Sequence, residues 1–226
     1  MHEKKRIALY GGTFDPVHLG HLQVARSVSE IFAIDQFLFV PARVAPHKMD
    51  REVSSGFHRY AMLALATQND PRLCISTYEL EGRERQYTVE TLDHFRSQKG
   101  ELADLFFVMG YDSWSEITTW REWERLLTLA NLIVVTRPGF EFSVEEVGSE
   151  VAASIVDLRG RNQEAVSAVE PGKRKIFITD AVRLDISATA VRHSARAGQS
   201  EGLEKLVPRE VAEYIRKYRL YRNKNE

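Results

Sequence analysis

The sequence predicts an α/β protein: a doubly wound, mostly parallel sheet with flanking helices and a small C-terminal helical part. Three observations carry this reading. Short apolar, β-branched runs alternate with segments whose apolar residues recur every three or four positions. Stretches rich in Gly, Pro and polar residues follow the carboxyl ends of those runs, where a doubly wound sheet places its ligands. Finally, 226 residues, 43% hydrophobic and 28% charged, are enough for one sizeable core.

In chain order, residues 6–10 read as a buried first strand, and 19–32 as a helix through Leu22, Ala25, Val28 and Phe32. Residues 36–40 form a second strand ended by Pro41, followed by a basic, proline-containing loop over 42–48. A helix is expected over 57–69 through Tyr60, Leu63, Ala64 and Ala66, then a third strand over 72–77. Tyr87-Thr88 opens another helix, with Thr88 and Glu90 or Thr91 as candidate caps. The fourth strand, 104–109, runs into Gly110-Tyr111-Asp112-Ser113, and residues 114–123 look like short helical turns. A fifth strand over 131–136 ends at Arg137-Pro138-Gly139. From 140 the pattern dissolves: 144–155 suits a helix and 160–174 an exposed loop. A sixth strand over 175–179, a helix capped by Ser187 and a closing helix over 208–221 complete the chain. One domain over 1–226 is expected, with a core of 6–139 and 175–197, a variable insert near 140–174 and a C-terminal helix.

The balance of charge narrows the partners. A net charge of −1 argues against general nucleic-acid affinity. The single cysteine, Cys74, cannot close an internal disulfide and reads as a buried structural thiol. The apolar residues near the start are too few for a secretory segment, and no later run approaches the roughly 18 residues of a membrane span. The expectation is a cytoplasmic enzyme with neither nucleic acid nor membrane as partner; self-association into a homo-oligomer is compatible with it.

Chemistry concentrates in Tyr10-Gly11-Gly12-Thr13-Phe14-Asp15-Pro16-Val17-His18-Leu19-Gly20-His21, a strand-to-helix turn. Backbone N–H groups and the positive end of a helix converge there and hold anions. Gly11 and Gly12 let backbone approach a ligand, Thr13 adds a hydroxyl, and Pro16 fixes φ near the helix start. His18 and His21, three apart on one helix face, can donate to phosphate oxygens. The glycine spacing matches neither a dinucleotide fingerprint nor a P-loop, and His-x-x-His has no Cys or third ligand at zinc spacing. A second anion site is expected where Ser187, Thr189 and Arg192 open a late helix. Taken singly, these residues also suit a tight turn and an ordinary capped helix.

Together, Gly-Thr-Phe-Asp-Pro-x-His-x-Gly-His early and Ile-Ser-x-Thr-x-x-Arg late resemble the two signatures of adenylyltransferases in the nucleotidyltransferase superfamily. Between them, Pro46-His47-Lys48, Tyr87-Thr88-x-x-Thr91, Gly110-Tyr111-Asp112-Ser113, Thr119-Trp120 and Arg137-Pro138-Gly139 stand in the order of bacterial nicotinate-nucleotide adenylyltransferases. The resemblance runs from residue 6 to 221, fading across 140–174. It implies a Rossmann-like nucleotidyltransferase fold and adenylyl transfer from ATP to nicotinate mononucleotide, giving deamido-NAD and pyrophosphate without a covalent intermediate. It implies His18, His21, Lys48 and Arg192 as catalytic residues. It implies Gly11, Gly12, Thr13, Phe14, Gly110, Asp112, Arg137, Ser187 and Thr189 as ATP-binding, and Thr88 and Trp120 as lining the nicotinate pocket. Mg2+ is expected to ride on the phosphates of ATP, with no metal ligands of the protein's own. One departure stands out. Where the family often has a second aromatic after the pocket tryptophan, this chain has Arg121, which either turns to solvent or places a cation near the nicotinate carboxylate. Preference for nicotinamide mononucleotide, phosphopantetheine adenylylation and non-catalytic nucleotide sensing are the rival readings.

Overall fold

The computed structural model describes residues 4–43, 53–82, 86–99, 102–136, 147–170, 172–182, 186–198 and 200–222. The strands are β1 (Lys5–Gly12), β2 (Gln36–Pro41), β3 (Leu73–Ile75), β4 (Ala103–Gly110), β5 (Asn131–Val135), β6 (Ile155–Asp157) and β7 (Ile176–Thr179). The helices are α1 (Leu19–Ile31), α2 (Gly56–Thr67), α3 (Tyr78–Glu81), α4 (Thr88–Lys99), α5 (Tyr111–Trp114), α6 (Trp123–Leu129), α7 (Gly148–Ala152), α8 (Ala165–Ala168), α9 (Ala188–Arg196), α10 (Ser200–Glu204) and α11 (Arg209–Lys217). All seven strands pair in parallel, in the order β3-β2-β1-β4-β5-β7-β6.

A parallel sheet covered on both faces needs strands that are apolar throughout, and their alternation divides the core in two. Ala8, Phe39, Phe106, Ile133 and Phe177 face α1, α2, α9 and α11, packing against Val28, Met62, Val191 and Ile215. Ile7, Leu9, Leu105, Phe107 and Leu132 face the other way, toward Leu92 and Phe95 of α4 and Leu126 of α6. Each fully buried side chain of this size contributes about 1.5–3 kcal/mol. The doubly wound α/β fold expected from the sequence is the one observed.

Differences lie at element ends and in the insert. β1 runs on through Gly11 and Gly12, which pair with Val40 and Pro41; a neighbouring strand of matching length overrides the weak strand propensity of glycine. The helix at 88 is capped from one residue earlier than expected. The Tyr87 N–H donates to the Glu90 carboxylate at 3.0 Å, so the acid sits at the third helical position after all. The region read as an exposed loop over 160–174 carries α8, whose Ala165 is fully buried. It follows an edge strand, β6, that three residues were too short to announce by periodicity. Asp180 pins this edge, accepting from the Gly160 N–H at 3.2 Å and the Asn162 side chain at 3.0 Å. Cys74 is half-buried rather than sealed in the core, and the closing helix ends at Lys217, with Tyr218 exposed as its C-cap.

Candidate functional site

Strand order reverses at β1, which lies between β2 and β4, so the crevice of a doubly wound sheet opens at the carboxyl ends of β1 and β4. Those ends are Gly12 and Gly110. Beyond Gly12 the chain turns sharply. Phe14 adopts φ of 50°, left-handed for a non-glycine residue, and the Asp15-Pro16 peptide is cis. The Phe14 ring turns inward, edge-on to Tyr10, His21 and Phe39 at centroid distances of 5.5, 5.0 and 5.4 Å. A Cβ on Gly12 would stand 2.9 Å from the Phe14 Cζ, and one on Gly20 would stand 3.1 Å from the His18 Nδ1. These two glycines therefore make room for the motif's own rings.

The helix begins at Leu19, as its apolar spacing predicts, with His18 as N-cap. The His18 backbone N–H donates to Nδ1 of His21 at 3.2 Å, and the two imidazoles stack with centroids 3.6 Å apart. Because Nδ1 of His21 accepts, its proton in the neutral ring resides on Nε2, which makes that atom a donor.

The late signature meets the early one directly. Ser187 caps α9, its hydroxyl accepting from the Ala190 N–H at 3.2 Å. Arg192, 7% exposed, donates from one guanidinium nitrogen to the Asp15 carbonyl at 2.7 Å and from the other to the Thr189 hydroxyl at 2.9 Å. The positive end of α9 and the β1–α1 turn thus face one volume.

Two further residues hold the turn, and neither was anticipated from the sequence. Arg59 of α2, 2% exposed, donates to the carbonyls of Thr13 at 2.8 Å, Ser54 at 3.0 Å and Arg43 at 3.5 Å. Burial pulls its pKa below the usual guanidinium value, against which Asp15 and Tyr221 act. Tyr221 donates its hydroxyl to the buried Asp15 carboxylate at 2.8 Å, and burial pushes that phenol far above its ordinary range. Arg43 in turn donates to the carbonyls of Leu80 and Gly82, tying the end of β2 to α3.

The other face of the sheet supplies a second half-site. Trp120 lies edge-on to Phe107 at 6.3 Å, and the Phe107 ring lies 3.5 Å from where a Gly11 Cβ would be. Arg121 is exposed, yet engaged by its neighbours. Its guanidinium lies 4.8 Å over the Tyr87 ring and 3.4 Å from Glu90, with Glu122 at 3.8 Å. That contact ties the residue after Trp120 to the residue before Thr88, which opens α4. Glu79 of α3 is half-buried and faces Thr91 of α4. Desolvation raises its pKa, partly offset by the Thr91 hydroxyl donating at 2.7 Å. Asp112 is exposed in the first turn of α5, after Gly110. Lys48 and Arg137 lie outside the described residues.

Among the described residues no group of three or more His, Cys, Asp or Glu is placed to hold a metal ion, and no helix is long and apolar enough to cross a membrane. The Cytidylyltransferase-like family model matches residues 9–194. A protein of Thermoanaerobacter sp. (strain X514) is 34% identical over 226 residues, covering 100% of this chain and 99% of its own. One of Desulfatibacillum aliphaticivorans is 36% identical, covering 96% and 99%. Both bear the name "Probable nicotinate-nucleotide adenylyltransferase". Among solved structures, Plasmodium falciparum nicotinic acid mononucleotide adenylyltransferase complexed with NaAD aligns with a TM-score of 0.70 at 21% identity, over 96% of this chain and 97% of that one. It shares the fold.

Proposed function

We propose, on the premise that this chain belongs to the Cytidylyltransferase-like family and within it to the nicotinate-nucleotide adenylyltransferases, that it joins ATP to nicotinate mononucleotide. An oxygen of the mononucleotide's 5′-phosphate attacks the α-phosphorus of ATP. The bond from that phosphorus to the bridging oxygen breaks, and pyrophosphate leaves with the electron pair. No nucleophile of the protein is needed: positioning and charge stabilisation do the work.

The observation that carries this reading is the Arg192 guanidinium bonded at once to Asp15 and Thr189, which merges the two anion-binding turns into one polyphosphate cradle. His21, donating through Nε2, and His18 stacked on it serve the α-phosphate oxygens where charge builds up. Thr13 contributes a hydroxyl beside them. Arg192, Ser187 and Thr189 hold the β- and γ-phosphates that depart. Gly110 leaves space for the adenosine, since a Cβ there would meet nothing within 4 Å, and Asp112 suits the ribose hydroxyls. Gly11, Gly12 and Phe14 shape the floor, and the family resemblance adds the cations of Lys48 and Arg137. Across the end of the sheet, Thr88 and Trp120 receive the pyridine ring. Magnesium enters with ATP, screening the phosphate charge, in keeping with a protein side that offers neutral and cationic donors.

The test is pyrophosphate release from ATP and magnesium with nicotinate or nicotinamide mononucleotide as acceptor. Strong preference for the acid is expected. Equal use would make the enzyme dual in specificity, and no turnover with either would overturn the assignment.

A further inference from the structure

The C-terminal segment returns to the nucleotide turn through a closed ring of hydrogen bonds. Arg192 donates to the Asp15 carbonyl at 2.7 Å. One helical turn later on the same face of α9, Arg196 donates from Nε to the Tyr221 carbonyl at 3.1 Å. The hydroxyl of that same Tyr221 closes the ring on the Asp15 carboxylate at 2.8 Å. Both the main chain and the side chain of Asp15 are therefore held, one by α9 and one by the tail, while the residue itself is 1% exposed. The tail is shaped for this contact. Arg219 and Tyr221 take φ of 50° and 68°, conformations a non-glycine residue keeps only where its surroundings enforce them. Backbone bonds from Arg219 to Arg216 and from Leu220 to Ile215, at 3.2 and 3.0 Å, supply part of that enforcement. Arg59, which grips the Ser54 and Thr13 carbonyls, also feels the Asp15 and Tyr221 groups, so the ring abuts the second support of the turn.

We propose that Tyr221 is a positioning residue for nucleotide binding: through the Asp15 carboxylate it holds the Asp15 carbonyl where it aims the Arg192 guanidinium at the departing phosphates. This rests on the reading of Arg192 as the cradle of the β- and γ-phosphates. Tyr221 touches no substrate. Its effect is confined to the side of the sheet that carries α1 and α9, and the pocket at Thr88 and Trp120, on the opposite face, lies outside the ring.

Tyr221→Phe removes the hydroxyl and nothing else, and supplies the test. Losing a hydrogen bond to a buried carboxylate is expected to raise KM for ATP about tenfold, and KM for pyrophosphate in the reverse direction by about the same factor. KM for the mononucleotide should stay within about twofold, and unfolding should stay cooperative. Arg196→Ala opens the ring at a different, exposed bond and should give the same ATP-side pattern at about threefold. Unchanged ATP and pyrophosphate constants in both variants overturn the proposal, as does a parallel rise in all three constants that tracks a fall in melting temperature. Equilibrium binding of a non-hydrolysable ATP analogue separates this idea from the assignment beneath it. Wild-type turnover with unweakened analogue binding by Tyr221→Phe sinks the role of Tyr221 alone. Absent turnover with binding weakened about tenfold sinks the assignment and leaves the role of Tyr221 standing.

Discussion

Replacing Arg59 by Met tests whether a buried cation, rather than the apolar core, fixes the nucleotide turn. The guanidinium is 2% exposed and makes two short bonds to carbonyls, at 2.8 and 3.0 Å, with a third at 3.5 Å. Charge-assisted bonds contribute about 1.5–3 kcal/mol each, so losing the two short ones costs about 3–6 kcal/mol gross. Relief of the desolvation that depresses the Arg59 pKa returns part of this. Methionine refills most of the volume, so the cavity contribution is small. The net loss should be about 2–3 kcal/mol, against a total stability of about 5–15 kcal/mol for a typical domain. The variant stays folded, and its melting temperature falls by about 5–10 °C for a chain of this length. Urea unfolding with an unchanged m-value, run beside thermal melts, measures it. Arg59→Lys keeps the charge but not the fork and should fall between the two. A Met variant as stable as the wild type would refute the reasoning, because the carbonyls of Thr13 and Ser54 would then find partners without Arg59.

Gly12→Ala forces a Cβ to 2.9 Å from a Phe14 ring already packed on Tyr10 and Phe39, and should cost about 1–3 kcal/mol in urea unfolding. Gly110→Ala meets nothing within 4 Å and should leave stability unchanged while raising KM for ATP; equal destabilisation by both would contradict the account. Glu79 holds its proton more tightly folded than unfolded, so its contribution is present below the ordinary value of 4.5 and is lost as pH rises through its elevated folded pKa. Glu79→Gln should therefore gain stability relative to wild type as pH climbs from about 4 to 7, and a constant difference across paired titrations would exclude this. Arg121→Ala should leave the acid-to-amide ratio of kcat/KM within about twofold, since Glu90 and the Tyr87 ring already engage that cation. A tenfold drop in the ratio would move Arg121 onto the substrate.

The parts of this molecule that were legible in the sequence are those with a local pattern. Alternating apolar runs announced the central strands, and Ser187 announced α9 because capping acts within three residues. The turn after β1 was visible because its glycines, histidines and proline are unusual as a group. Arg59 and Tyr221 were not, for a common reason. Their partners lie 46 and 206 positions away, and a carbonyl or a shared carboxylate leaves no mark on spacing. Arg59 stood in an amphipathic helix where an arginine ordinarily faces water. β6 was hidden by its length, since three residues hold no period, and the side chains of Asn162 and Asp180 that support it come from outside the strand. The Glu90 cap was misplaced by a single residue, because an aromatic N-cap is outside the usual choice of Ser, Thr, Asp and Asn.

The ring through Asp15 also sets when the protein becomes competent during its synthesis. Its bonds span 177 and 206 residues of chain. At about 5–20 residues per second, residue 221 follows residue 15 off the ribosome by roughly 10 to 40 seconds. Through that interval β1, α1 and β2 can pair and bury their apolar faces, but the turn between them lacks both Arg192 and the tail. Activity in a nascent or truncated chain is therefore a measure of how far translation has gone, and the site is among the last features of the molecule to come into being.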